Sequence, residues 1–126
     1  MVEGEGVDVV CNLEEPNDLG TFSHIECLSV LEHSRRPWLL AENLEQMLEP
    51  NGTLFLAVPF AWRIHAYPDD YWRMTPAGVR SLFPDIAWQA MAICADELYE
   101  GPKIPIVKKD GFPYIIRSEV VGFGRK

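Results

Sequence analysis

The sequence predicts an α/β domain whose sheet mixes parallel strands with an antiparallel C-terminal edge and is flanked by helices. Three observations predict it. Short apolar or β-branched runs at Val7–Cys11, Phe22–Leu28 and Thr53–Val58 are separated by a connection, by helical periodicity and by turn residues. Two later runs, Ile86–Cys94 and Tyr114–Phe123, follow one another without a helical segment between them, as antiparallel neighbours do. The chain has 126 residues, 48% of them hydrophobic and 24% charged, which suits one domain with a modest core.

The elements follow in chain order. Val7-Asp8-Val9-Val10-Cys11 is β-branched and ends at Asn12, so it reads as a strand, and a turn-rich connection from Glu14 to Gly20 leads to a second strand, Phe22–Leu28. Glu32-His33-Ser34 is a polar break, and Pro37 stands where a helix begins, its fixed φ and missing N–H suiting the first turn. Leu40, Leu44, Met47 and Leu48 recur at helical spacing, which makes Trp38–Leu48 a helix stopped by Pro50-Asn51-Gly52. Thr53–Val58 is apolar throughout and reads as a strand buried on both faces. Pro59 ends it and opens a polar, aromatic-rich loop. Thr75-Pro76 is an N-cap with proline at the first helical position, and Val79, Leu82 and Phe83 give a short helix ended by Pro84.

Composition excludes several classes. No apolar run approaches the ~20 residues that span a bilayer, and the opening Met-Val-Glu-Gly-Glu-Gly has no basic-then-apolar signal pattern, so a cytoplasmic setting is expected with no membrane partner. A formal charge of −8, from 11 basic and 19 acidic side chains, repels a phosphate backbone, and no basic patch offsets it. Nucleic acid is therefore not an expected partner. Cys11, Cys27 and Cys94 are odd in number and lie in apolar runs, which predicts buried free thiols. No nucleophile elbow, phosphate loop or histidine pair at helical ligand spacing occurs, and the adjacent Asp69-Asp70 reads as a solvated turn, so no metal is expected.

The segment from His65 to Thr75, His-Ala-Tyr-Pro-Asp-Asp-Tyr-Trp-Arg-Met-Thr, crowds titratable and aromatic groups immediately after an apolar strand. Loops in that position carry chemistry. Asp70 and Arg73 can pair across a turn while Tyr71 and Trp72 anchor the loop, making it a lid or pocket wall. Taken with Leu31-Glu32-His33 and the Pro50-Asn51-Gly52 turn upstream, the order and spacing of these groups resemble the later part of an S-adenosylmethionine-dependent methyltransferase of class I, the Rossmann-like type. The likeness runs over roughly residues 7 to 83, with Asn51 standing where a glycine is usual and asparagine also tolerating the left-handed conformation required there.

The resemblance implies a truncated Rossmann-like methyltransferase sheet forming a single domain over residues 1–126, without the family's first strand and glycine-rich cofactor loop. S-adenosylmethionine is the implied cofactor, with Asn12 and Leu13 matching the adenine side and Ser29 the methionine side. The acceptor side would hold His33, His65, Tyr71 and Arg73, either histidine taking a proton from an attacking hydroxyl or amine. The structural alternatives are that Asn12 is a turn residue, that Glu32-His33 caps the helix, and that His65 hydrogen-bonds within its loop. Without the glycine-rich loop, methyl transfer to a small molecule is expected to be impaired in the isolated chain. The alternative is a non-catalytic dimerising or partner-binding module. An uncovered Phe22–Leu28 strand would expose backbone donors and acceptors, so it is expected to pair with Val7–Cys11, with a second copy in a homodimer, or with another polypeptide.

Overall fold

The computed structural model describes residues 6–65, 69–95, 108–109, 112–113 and 118–126. Strand β1 (Phe22–Leu28) leads through a single 3-10 turn, Leu31–His33, into helix α1 (Pro37–Met47) and then into the long strand β2 (Leu48–Ala61). Helix α2 (Pro76–Leu82), β3 (Ala87–Ala95), the two-residue strands β4 (Lys108–Lys109) and β5 (Phe112–Pro113), and β6 (Ser118–Arg125) complete the order. The main sheet runs β1-β2-β6-β3, with β1 parallel to β2 and β6 antiparallel to both its neighbours. The last strand is thus antiparallel as the sequence predicts, and it is inserted between β2 and β3, which leaves β3 at that edge.

Register explains the core. Ile25 lies beside Leu54 and Cys27 beside Leu56, while Leu56 and Val58 oppose Gly122 and Val120, so one face of the sheet collects these side chains. They are buried together with Leu40, Ala41 and Leu44 of α1 and Val79 of α2. The other face carries Phe55, Ala57, Val121 and Phe123, all half-buried. Gly122 has a packing reason: a Cβ there would lie 2.6 Å from Cζ3 of Trp88 on β3, so only glycine lets that ring lie across β6.

The Pro50-Asn51-Gly52 turn forms inside β2 as a bulge, the three residues Phe22 to His24 of β1 spanning the six from Leu48 to Thr53. Asn51 adopts φ 66°, the left-handed conformation its type tolerates. Its N–H donates to the Lys126 carbonyl at 3.1 Å, and the Lys126 N–H returns a bond to Gly52 at 3.0 Å. The Lys126 ammonium also donates to the carbonyls of Glu45 and Leu48, satisfying the C-terminal end of α1. At α2, the Thr75 side chain accepts from the Gly78 N–H at 3.0 Å, the predicted cap.

Two expectations are corrected. Val7–Cys11 is not a strand, and Val7, Val9 and Val10 are exposed. β-branched composition favours an extended chain, but a strand exists only where a neighbour takes its hydrogen bonds. β1 is consequently an edge of the sheet among the described residues, with Phe22 and Leu28 exposed. Of the cysteines, all free, Cys27 is buried, Cys11 is half-buried and Cys94, on the edge strand β3, is exposed. Most of the stretch Glu100–Gly111 lies outside the described residues, as do residues 114–117 of the predicted closing strand.

Candidate functional site

The loop after β2 folds back onto the 3-10 turn after β1, at the carboxyl ends of two adjacent parallel strands. Ligands of open α/β sheets bind at such ends. Backbone bonds fix the juxtaposition: the Tyr71 N–H donates to the Glu32 carbonyl at 2.7 Å and the Met74 N–H to the Pro59 carbonyl at 3.0 Å. The Trp72 indole N–H adds a bond to the Ser34 carbonyl at 2.7 Å.

Glu32 sits beneath this loop. Its side chain is wholly buried, and among the described residues neither carboxylate oxygen accepts a hydrogen bond. Burial pushes its carboxyl above the ordinary range, with the neighbouring imidazoles opposing the shift. His33 and His65 both turn Nε2 toward Glu32 Oε1, at 3.8 and 3.7 Å, and their rings meet edge-on with centroids 5.2 Å apart. His33 Nδ1 lies 2.6 Å from the Asp69 carbonyl, and since a carbonyl only accepts, that nitrogen carries the proton. His65 Nδ1 lies 3.1 Å from Asp70 Oδ2 and 3.3 Å from the Arg63 carbonyl, which assigns its proton in the same way.

Asp70 and Arg73 hold the loop in this shape. The guanidinium donates through Nη2 to Asp70 Oδ2 at 2.7 Å and through Nη1 to Oδ1, a bidentate pair. It also donates to the carbonyls of Trp62 and Arg63. Asp70 accepts the His65 N–H at 2.9 Å, and the Arg73 hydrogen bonds hold its carboxyl far below the usual carboxylate range, against the opposing effect of burial. The expected solvated Asp69-Asp70 turn is therefore corrected: the Asp70 side chain is fully buried, while Asp69 is exposed. Adjacent residues in a turn point apart, and only Asp70 points at the arginine. Tyr71 is partly exposed, its hydroxyl donating to Asp69 and accepting from Arg35. Pro68 and its two predecessors lie outside the described residues.

The cofactor-side candidates are placed differently. Asn12 Oδ1 accepts the Glu14 N–H at 3.1 Å, and the Asn12 carbonyl accepts the Glu15 N–H, which makes Asn12 a turn residue. Leu13 packs against the core, and Ser29 ends β1 at φ 53° with its N–H bonded to the Ala57 carbonyl. A cleft of about 440 Å³ lies elsewhere, between Pro16–Thr21 and the later part of α1, and none of the three lines it. As they stand, these residues do not form an S-adenosylmethionine cradle by themselves: Asn12 Oδ1 gives one lone pair to its own turn and Leu13 packs against the core. Nor does Glu32-His33 cap α1. Glu14 instead braces the residues that lead into α1, its Oε1 accepting the Arg35 N–H at 2.7 Å and the Ser34 hydroxyl at 2.8 Å. That Ser34 bond, with the Arg36 and backbone bonds, lowers the Glu14 carboxyl to about 2.

Sequence reasoning missed the roles of Glu32 and Glu14. For Glu32 a signal was present, a carboxylate inside an otherwise apolar Val30-Leu31 approach to the helix. Glu14 had none, because its partners lie twenty or more positions away.

No family model matches the sequence, and no curated protein matches it. Solved structures do. Over 94% of this chain it superposes on TehB from Haemophilus influenzae with a TM-score of 0.63 at 10% identity. The N-methyltransferase NodS from Bradyrhizobium japonicum, in complex with S-adenosyl-L-homocysteine, matches 92% of it at a TM-score of 0.60 and 12% identity. A chain from the complex between the Haloferax volcanii Trm112 methyltransferase activator and its candidate methyltransferase matches 93% at 0.63 and 19% identity. This chain spans only 40%, 52% and 59% of those three, respectively. The chain shares its fold with these solved structures, among them the N-methyltransferase NodS, and corresponds to a part of each.

Proposed function

We infer that this chain is the acceptor-side portion of a methyltransferase acting on a small molecule, with a cofactor side that is incomplete in isolation. The observation that carries the reading is the convergence of His33 and His65 on buried Glu32 at the carboxyl ends of β1 and β2. An imidazole there takes the proton of an acceptor hydroxyl or amine as its oxygen or nitrogen becomes nucleophilic. Tyr71, partly exposed beside this cluster, is the acceptor-side contact, and Arg73 positions the loop through Asp70. Asn12, Leu13 and Ser29 form a cofactor wall only after the β1 edge is covered, by a second copy or by another polypeptide. The reading takes residues 1–126 as one domain in a cytoplasmic setting; among the described residues no helix is long and apolar enough to cross a membrane.

The second reading, a non-catalytic partner-binding module, is favoured by the exposed β1 edge with Phe22 and Leu28 on it. Calorimetry with S-adenosylmethionine and S-adenosylhomocysteine, paired with light scattering, separates the two. The methyltransferase reading expects no saturable heat from a monomer and saturable binding wherever the edge is covered. Binding by the monomer refutes the incompleteness, and a dimer that binds neither molecule favours the module.

A further inference from the structure

Glu32 Oε1, His33 Nε2 and His65 Nε2 lie within 4.8 Å of one another, on residues that are buried, half-buried and half-buried. Both imidazole Nδ1 atoms are committed as donors, His33 to the Asp69 carbonyl and His65 to Asp70 and the Arg63 carbonyl. In the neutral rings each Nε2 is therefore a lone pair. With Glu32 ionised and both rings neutral, three acceptors thus face one point, and the carboxylate has no hydrogen-bond partner among the described residues. Such an arrangement is costly unless a cation occupies the point.

The spacing also suits a metal ion. The Nε2 to Oε1 separations of 3.7 and 3.8 Å are too long for hydrogen bonds. Two ligand atoms about 2.0–2.1 Å from a tetrahedral ion lie about 3.4 Å apart, so the two Glu32 separations need shorten by only a few tenths of an ångström, and the histidine-to-histidine separation, within 4.8 Å, by a rotation of the His65 ring. Metal-bound histidines characteristically donate their other ring N–H to a carbonyl or a carboxylate, and both arrangements are present. Asp70 is itself clamped by Arg73, which fixes the orientation of the His65 ring.

We propose that Glu32, His33 and His65 form a binding site for a divalent transition-metal ion of the zinc type, with the fourth position open toward the acceptor side. Two histidines and one glutamate are a donor set that leaves such a position for water or a substrate oxygen. The set escapes sequence inspection because His65 lies 32 positions beyond His33 and reaches it only through the loop. The proposal stands on this geometry alone and does not depend on methyl transfer; a bound ion takes the one lone pair of each ring, so the general-base role belongs to the metal-free state.

The test is titration of the full, metal-free chain with Zn²⁺ by calorimetry and with Co²⁺ by visible absorption. One ion per chain is expected, with ligand-field bands of a four- or five-coordinate nitrogen and oxygen site. Glu32→Gln keeps the side-chain shape and is expected to weaken binding at least about tenfold. His65→Gln, at a half-buried position, gives the same reading should the first variant not fold. His24→Ala removes an exposed histidine outside the set and is expected to leave affinity unchanged. No one-to-one binding by the wild type overturns the proposal, as does binding that either ligand substitution leaves intact or that His24→Ala abolishes.

Discussion

The groups around Glu32 and those around Asn12 match opposite sides of one reaction in the family resemblance, and they are built in opposite ways. Around Glu32, the partners come from the 3-10 turn and from a loop more than thirty positions later, joined by the bonds of Tyr71, His33 and Trp72 across them and held in shape by the bidentate Asp70–Arg73 pair within the loop. Around Asn12, the amide oxygen bonds a backbone N–H two residues on, and the turn closes on itself. A site assembled by long-range contacts holds its geometry once the core folds. The Asn12 side chain has no such constraint, although Asn43 holds the Leu13 and Glu15 carbonyls beside it, so its use in binding depends on what else packs against it. The chain thus pairs a cluster finished by long-range contacts with a turn closed by its own residues.

The largest expected effect breaks the finished cluster. Arg73→Ala removes the partner of the buried Asp70 carboxylate and is expected to cost about 3–5 kcal/mol of stability, read from the shift in urea midpoint. A cost below about 1 kcal/mol would show that Asp70 is reached by water and that the loop is not held as described.

Glu14 sharpens the comparison, because it is the titratable long-range anchor beside Asn12, tying the segment to the residues before α1, while Asn43 holds the Leu13 and Glu15 carbonyls. Its folded carboxyl is lowered from 4.5 to about 2. A group depressed in this way contributes stability above its unfolded value, and that contribution is lost as the pH falls toward the folded one. Glu14→Gln is therefore expected to cost about 1 kcal/mol near neutral pH after allowance for solvent screening, with the gap to wild type closing between pH 4.5 and 2. Parallel stability curves across that window would show that Glu14 is not ion-paired.

The smallest effect belongs to Asn12. Asn12→Ala is expected to change stability by no more than about 0.5 kcal/mol, since it removes one exposed local bond. A loss approaching that of Arg73→Ala would mean that the turn is held from elsewhere, and the contrast between the two regions would fail.

Much of the fold was legible where the signal is local. β1 was read at Phe22–Leu28, α1 to within a residue at each end, and the cap of α2 at Thr75, because periodicity, proline at the first turn and hydroxyl capping act within a few residues. The Asp70–Arg73 pair was legible for the same reason, being one helical-turn length apart. The Asn51 turn followed from a residue type that accepts positive φ.

What tertiary structure alone decided involves a partner distant in sequence. Val7–Cys11 has the composition of a strand and no neighbour to accept its hydrogen bonds, so its extended preference yields no sheet. The position of β6 between β2 and β3 is a choice of pairing, settled by Gly122 letting Trp88 cross the strand, a contact with no short-range signature. The Glu32, His33 and His65 set exists only because one loop lies over one turn. The sequence by itself determined the elements and the residue types at their ends; the packing of the loop onto β1 determined which of those residues meet, because propensity acts over a few residues while a site needs groups from several elements at one point.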